Sequence, residues 1–331
     1  MAEFGTENLV TLNHLQNKVA SFVLLTPKPK HVLTFTSTVK MDKVINLGIP
    51  HVAEHIFEEL DTPELIQCLL VSETWKALAE NVLIKRWKDA LFEVCERGDA
   101  KVLQVLLEHS ETNIDLNARK GNLWHPFFRY TAFMIACYQG HTDIVKLLLD
   151  QPEERIDLNA TTNKGCTGFM IACFVGRRDV VKLILDKSSN RNIDLNASTY
   201  GETAFLLTCK HGPRDVVKLL LDHSSDKNID LNAKDRCGYT ALMVACIGGR
   251  KDIVKLLLNH SLTRNIDLNA TNSFGKTALM WACQNGHKDV VKLLLEQSER
   301  NIDLNAQSNF GWTAFMDACR KGHNDVVKLL L

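Results

Sequence analysis

The chain has 331 residues, room for two ordinary domains or one extended repeat array. Lys plus Arg and Asp plus Glu number 39 each, so the formal net charge is zero, and the lack of a cationic surplus argues against nucleic acid as the main partner. No run approaches 18 apolar residues, which excludes a transmembrane helix, and the N-terminus lacks the basic start, apolar stretch and cleavage site of a secretory signal; a cytoplasmic and/or nuclear protein is expected.

Residues 1–48 carry no recognisable motif and read as a disordered lead-in, with a hairpin around Pro27-Lys28 as the alternative. Met41 offers a second possible start of translation. From Ile49 the pattern becomes helical. Val52, Ile56 and Leu60 form one amphipathic stripe, and Thr62-Pro63 restarts the chain with a cap and a first-position proline. Leu65, Ile66, Leu69 and Leu70 continue an apolar face, and Ser72 caps a third helix bearing Trp75 and Leu78. About forty residues in three short helices make a small core, so a partner or the adjoining chain is expected to help stabilise them.

Residues 49–87 resemble an F-box: Ile49-Pro50 at the start, Leu60-Asp61, Glu64-Leu65, and then Val71-Ser72-x-x-Trp75. Ile49 departs mildly from the family's leucine. The resemblance implies docking to the Skp-type adaptor and cullin–RING core of an SCF-type ubiquitin ligase. Pro50, Ile56, Leu60, Leu65, Val71 and Trp75 would carry or support that contact. The plainer alternative is that the same apolar residues only cap the C-terminal part of the chain. His51-x-x-x-His55 lacks the glutamate and third ligand of a metal site and reads as a solvated helix face.

Beyond residue 88 the sequence repeats. Six segments align, from TAFMIACYQGHTDIVKLLL at Thr131 to TAFMDACRKGHNDVVKLLL at Thr313, their threonines 36 or 37 residues apart. A degenerate seventh unit precedes them from Asp89, with Gly98 at the repeat glycine. I-D-L-N-A recurs at Ile114, Ile156, Ile193, Ile229, Ile266 and Ile302. In each unit Thr is the expected N-cap of a two-turn helix. Gly140, Gly176, Gly212, Gly249, Gly286 and Gly322 are expected to end it in the left-handed conformation. An Asp in the first turn of the second helix suits the helix dipole. The Asp and Asn of I-D-L-N-A read as turn residues bonding nearby backbone. One helix pair cannot bury its own apolar faces, so the units must stack into a solenoid.

These segments resemble the ankyrin repeat, although Ala (or Gly168) and apolar residues replace its Pro-Leu-His element, and each unit is three or four residues longer than usual. The implied fold is all-α: F-box helices followed over 88–331 by an α-solenoid with hairpin-like loops, its first unit degenerate with an insertion at 119–130 and its last truncated. The array is expected to continue past Leu331. His141, His287 and His323 match the family's G-H element and read as structural.

Cys95, Cys137, Cys173, Cys209, Cys246, Cys283 and Cys319 share one repeat position and read as small buried hydrophobes. A redox or metal role is the rival, disfavoured by the absence of CxxC spacing. No catalytic constellation, cofactor motif or phosphate loop is evident.

The resemblance places a target protein on the concave face, held by loop tips and the short first helices. Positions there vary among aromatic, apolar and charged types while the framework stays constant. Candidate contacts are Tyr130, Tyr138, Phe174, Tyr200, Tyr239, Phe274, Trp281, Phe310 and Trp312, with partial burial as the alternative for Trp281. The first half of the array is expected to be aromatic and the end near Arg320 more polar. Trp124, Phe127 and Phe128 crowd the insertion, either as a target-binding finger, which the exposure of such a cluster favours, or as a plug on the first unit. The reading is a non-catalytic substrate receptor; its rival is an interaction scaffold whose N-terminal helices only cap the solenoid.

Overall fold

The computed structural model describes residues 77, 79–80, 82, 87–108, 114–121, 129–296 and 302–331. The chain divides into two compact units, 1–114 and 115–331. In the first, α1 (Trp87–Arg97) packs on α2 (Ala100–Glu108) across a turn at Gly98, whose φ is +82°. Leu91, Val94 and Cys95 of α1 and Val102, Leu103 and Leu106 of α2 are buried. The degenerate segment is therefore a helix pair of the same kind as its successors.

The second unit contains six helix pairs. The first helices are α3 (Ala132–Gln139), α5 (Gly168–Val175), α7 (Ala204–His211), α9 (Ala241–Ile247), α11 (Ala278–Gln284) and α13 (Ala314–Lys321). The second helices are α4 (Thr142–Leu149), α6 (Arg178–Ser188), α8 (Arg214–Asp222), α10 (Lys251–Arg264), α12 (Lys288–Leu295) and α14 (Asn324–Leu330). Each first helix packs on the first helices before and after it, and the second helices do the same, giving two layers with a continuous apolar seam. The three or four extra residues per unit lie at the end of the second helix; in α10 they add further turns, so that it reaches Arg264.

The local signals act as the chemistry requires. Oγ1 of Thr131, Thr167, Thr203, Thr240, Thr277 and Thr313 accepts from the backbone N–H three residues on, at 3.2–3.4 Å. Gly140, Gly176, Gly249, Gly286 and Gly322 have φ between +62° and +87°. Gly212 does not: its φ of −76° and ψ of 170° are extended. The cause is Pro213, whose ring restricts the preceding residue to the β region.

Asp and Asn of I-D-L-N-A divide their labour. Each Asp accepts from the amide of the Asn two residues later, at 2.9 Å in all six cases. The Asn reaches beyond its own turn. Asn196 Nδ2 donates to the Asn228 carbonyl at 2.8 Å, and its Oδ1 accepts from the Asp230 amide at 2.9 Å. Asn159 and Asn232 make the same two bonds to the following unit. An asparagine ladder thus runs along the solenoid.

The loops between units are short hairpins. β3 (Ser198–Thr199) pairs antiparallel with β4 (Glu202–Thr203), and β1 (Lys120–Gly121) with β2 (Arg129–Tyr130). Lys120 faces Tyr130 as Thr199 faces Glu202, each two residues past the I-D-L-N-A alanine and one before the capping threonine. The register next to the capping threonine is thus the same in both hairpins. Trp124, Phe127 and Phe128 lie outside the described residues, as do 1–48 and the F-box positions Pro50, Ile56, Leu60, Leu65, Val71 and Trp75.

Candidate functional site

In four units the residue after the repeat glycine ties that unit to the one before. His287 Nε2–H donates to the Ile247 carbonyl at 2.9 Å, and His323 Nε2–H to the Gln284 carbonyl at 3.0 Å. In two of the units that lack the histidine, arginine does the same: Arg177 Nε donates to Tyr138 O, and Arg250 reaches the carbonyls of Thr208, Cys209 and Gly212. These side chains cap the free carbonyls at the end of the preceding first helix. They hold the first-helix layer in register.

The cysteine position is equally structural. Cys95, Cys137, Cys173, Cys209, Cys246 and Cys283 are buried free thiols. Burial, with nearby Glu96, pushes the Cys95 thiol up to about 12; burial, with Asp317, does the same for Cys283. Burial also raises Cys173, Cys209 and Cys246. A thiol held protonated is a poor nucleophile and a poor metal ligand. Cys319 departs from the expectation by being exposed. Among the described residues no three His, Cys, Asp or Glu side chains converge as a metal site, and no helix is long and apolar enough to cross a membrane.

On this rigid frame the hairpin tips and first helices enclose two clefts. The first, of about 460 Å3, is lined by Tyr130, Tyr138, Met170, Ile171, Phe174 and Tyr200, with Lys164 and Glu202 at its edge. Tyr130 is only 7% exposed, so it underlies the cleft instead of projecting from the loop. Burial, then the neighbouring Tyr138 and Cys166, raises its phenol above the usual value. Phe174 is exposed and meets His211 edge-on at 5.9 Å. Tyr200 holds a left-handed tip (φ +53°) with the Arg236 guanidinium 4.6 Å from its ring centre.

The second cleft, of about 320 Å3, is lined by Phe274, Lys276, Trp281, Phe310, Trp312 and Asp317, with Gln284 and Arg320. Trp281 is half-buried and packs against Tyr239 at 5.4 Å, so Tyr239 supports this cleft and Trp281 is both wall and packing. Lys276 lies over the Trp281 ring at 5.1 Å, hydrogen-bonds Gln284, and pairs with Asp317 at 2.8 Å. Arg320 lies over Trp312 at 5.1 Å. This end carries three charged side chains beside exposed Phe274, Phe310 and Trp312.

The nine described candidates thus fall into two sets, Tyr130, Tyr138, Phe174 and Tyr200 in one, and Tyr239, Phe274, Trp281, Phe310 and Trp312 in the other. Lys276, Asp317 and Arg320 were not among the predicted contacts. Their signal was present: Lys276 precedes a capping threonine and Asp317 stands five before a repeat glycine, two positions that face one groove.

Two family models match the chain. The model for ankyrin repeats (three copies) matches residues 91–198, 190–272 and 259–331, and the F-box domain model matches residues 49–87. No curated protein matches the sequence.

Proposed function

The chain belongs to the ankyrin-repeat family and carries an F-box ahead of the array, and from that premise we propose that it is the substrate-recognition subunit of an SCF-type ubiquitin ligase. F-box and ankyrin modules are non-catalytic interaction modules, and together they give an adaptor-like role. In this reading, residues 1–48 lead into an F-box over 49–87 that docks to the Skp-type adaptor through Pro50, Ile56, Leu60, Leu65, Val71 and Trp75. The array over 88–331 holds a target protein at the two clefts.

The observation that carries the reading is the pairing, on one chain, of an F-box match with an array whose first-helix layer presents two aromatic clefts. The work is done by proximity. A tethered target meets the charged ubiquitin carrier at high effective concentration, and the bond-making belongs to other subunits. Free thiols at every described cysteine suit the reducing cytoplasm or nucleus, where such ligases would be met.

Purified full-length chain and Skp-type adaptor test it directly. Capture is expected, and Leu60→Ala with Trp75→Ala should abolish it while the array's melting transition stays put. A folded chain that captures no adaptor would leave the scaffold reading, with residues 49–87 as a cap.

A further inference from the structure

The second cleft holds three charged side chains, and their balance says what can enter. Asp317, 1% exposed, is compensated by Lys276 Nζ at 2.8 Å and by Arg320 Nη2 at 3.4 Å. Two cations against one carboxylate leave one positive charge. It resides on Arg320, whose side chain is 47% exposed and uses only a long contact to Asp317. A guanidinium has five N–H donors, so that one long contact leaves most of its donor capacity for an occupant.

A cationic occupant would find the carboxylate and both indoles already engaged by cations. Lys276 already lies over the Trp281 ring and Arg320 over the Trp312 ring, so both indole faces carry a cation. The cleft's carboxylate is already paired. An anionic group, by contrast, meets a guanidinium pre-oriented by stacking and suited to bidentate contact with a carboxylate. Beside it stands Phe310, 73% exposed, with Phe274 and Trp312 also exposed. Exposed aromatics next to a stacked arginine are the composition of an interface hot spot. At about 320 Å3 the cleft is at the small end of ligand sites and accepts an extended segment's side chain or two.

We propose that this cleft is the anchor site for an acidic-apolar peptide segment of the target, an Asp or Glu placed on Arg320 beside an aromatic or aliphatic side chain seated against Phe310 and Trp281. The proposal rests on the array being the target-binding part of the chain, and it gives that target a chemistry.

The experiment is selection from a random peptide display library on the immobilised full-length chain, followed by fluorescence anisotropy with the enriched sequence. Peptides in which Asp or Glu adjoins an apolar residue should be enriched. Arg320→Gln and the peptide's own acid-to-amide change should each weaken binding by about tenfold, and the double change by clearly less than their product. Phe310→Ala should weaken it as well. Both protein positions are exposed, so melting temperatures should match the parent, which a loss through misfolding would not. Basic or neutral selected peptides, no enrichment at all, or affinity indifferent to Arg320→Gln would overturn the proposal. Adaptor capture measured on the same preparations separates this outcome from failure of the ligase reading.

Discussion

Lys276 Nζ and Asp317 Oδ2 lie 2.8 Å apart although 41 residues separate them in the chain. The pair crosses from the unit of α11 to that of α13, with Asp317 almost wholly buried. Removing one partner of such a pair strands the other's charge, while replacing both by apolar residues does not. Asp317→Ala is therefore expected to cost about 3 kcal/mol or more in urea unfolding, and Lys276→Met with Asp317→Leu to recover most of it. A single variant within experimental error of the parent would show that water solvates the pair.

The asparagine ladder should outweigh the surface ion pairs. Asn196→Ala removes two bonds to the next unit and is expected to cost about 1–2 kcal/mol. Lys187→Ala breaks a half-exposed pair with Asp150 at 2.7 Å and should change stability by about 0.5 kcal/mol or less. Faster hydrogen exchange at the Asp230 amide in the asparagine variant alone would locate the effect.

Two repeat glycines separate backbone strain from crowding. Gly322 has φ +73° and open space around it, so Gly322→Ala carries only the left-handed penalty, about 1 kcal/mol. Gly286, at φ +71°, has His323 where a Cβ would sit, 2.5 Å from Nδ1. Gly286→Ala should cost clearly more, because it also displaces the imidazole from the Gln284 carbonyl. Equal losses would mean that the histidine moves aside freely.

Thiol labelling reads the repeat cysteine position. Cys237 and Cys319 are exposed and should react first with a maleimide or iodoacetamide. Cys95 and Cys283, with thiols pushed up to about 12, and the buried Cys173, Cys209 and Cys246 should stay unlabelled at neutral and mildly alkaline pH until the chain is unfolded. Mass spectrometry of labelled peptides decides it; early labelling at Cys173 or Cys246 would mean the units open locally.

The amino-acid sequence alone determined the helix pairs, their caps and the stacking of the array. A threonine hydroxyl finds its amide three residues away, and an I-D-L-N-A aspartate finds its own two residues away, so such contacts are written into any one unit. Even the exception at Gly212 is local, since Pro213 dictates it. What tertiary structure decided are the contacts one unit apart. Asn196 could have bonded its own turn, His287 could have faced solvent, and Lys276 could have been a loop-tip charge. Stacking brought each within reach of a partner 34 to 41 residues distant. The sites obey the same rule: each aromatic was visible at its position, but only the packing of neighbouring units sorted them into an apolar cleft and a cationic one.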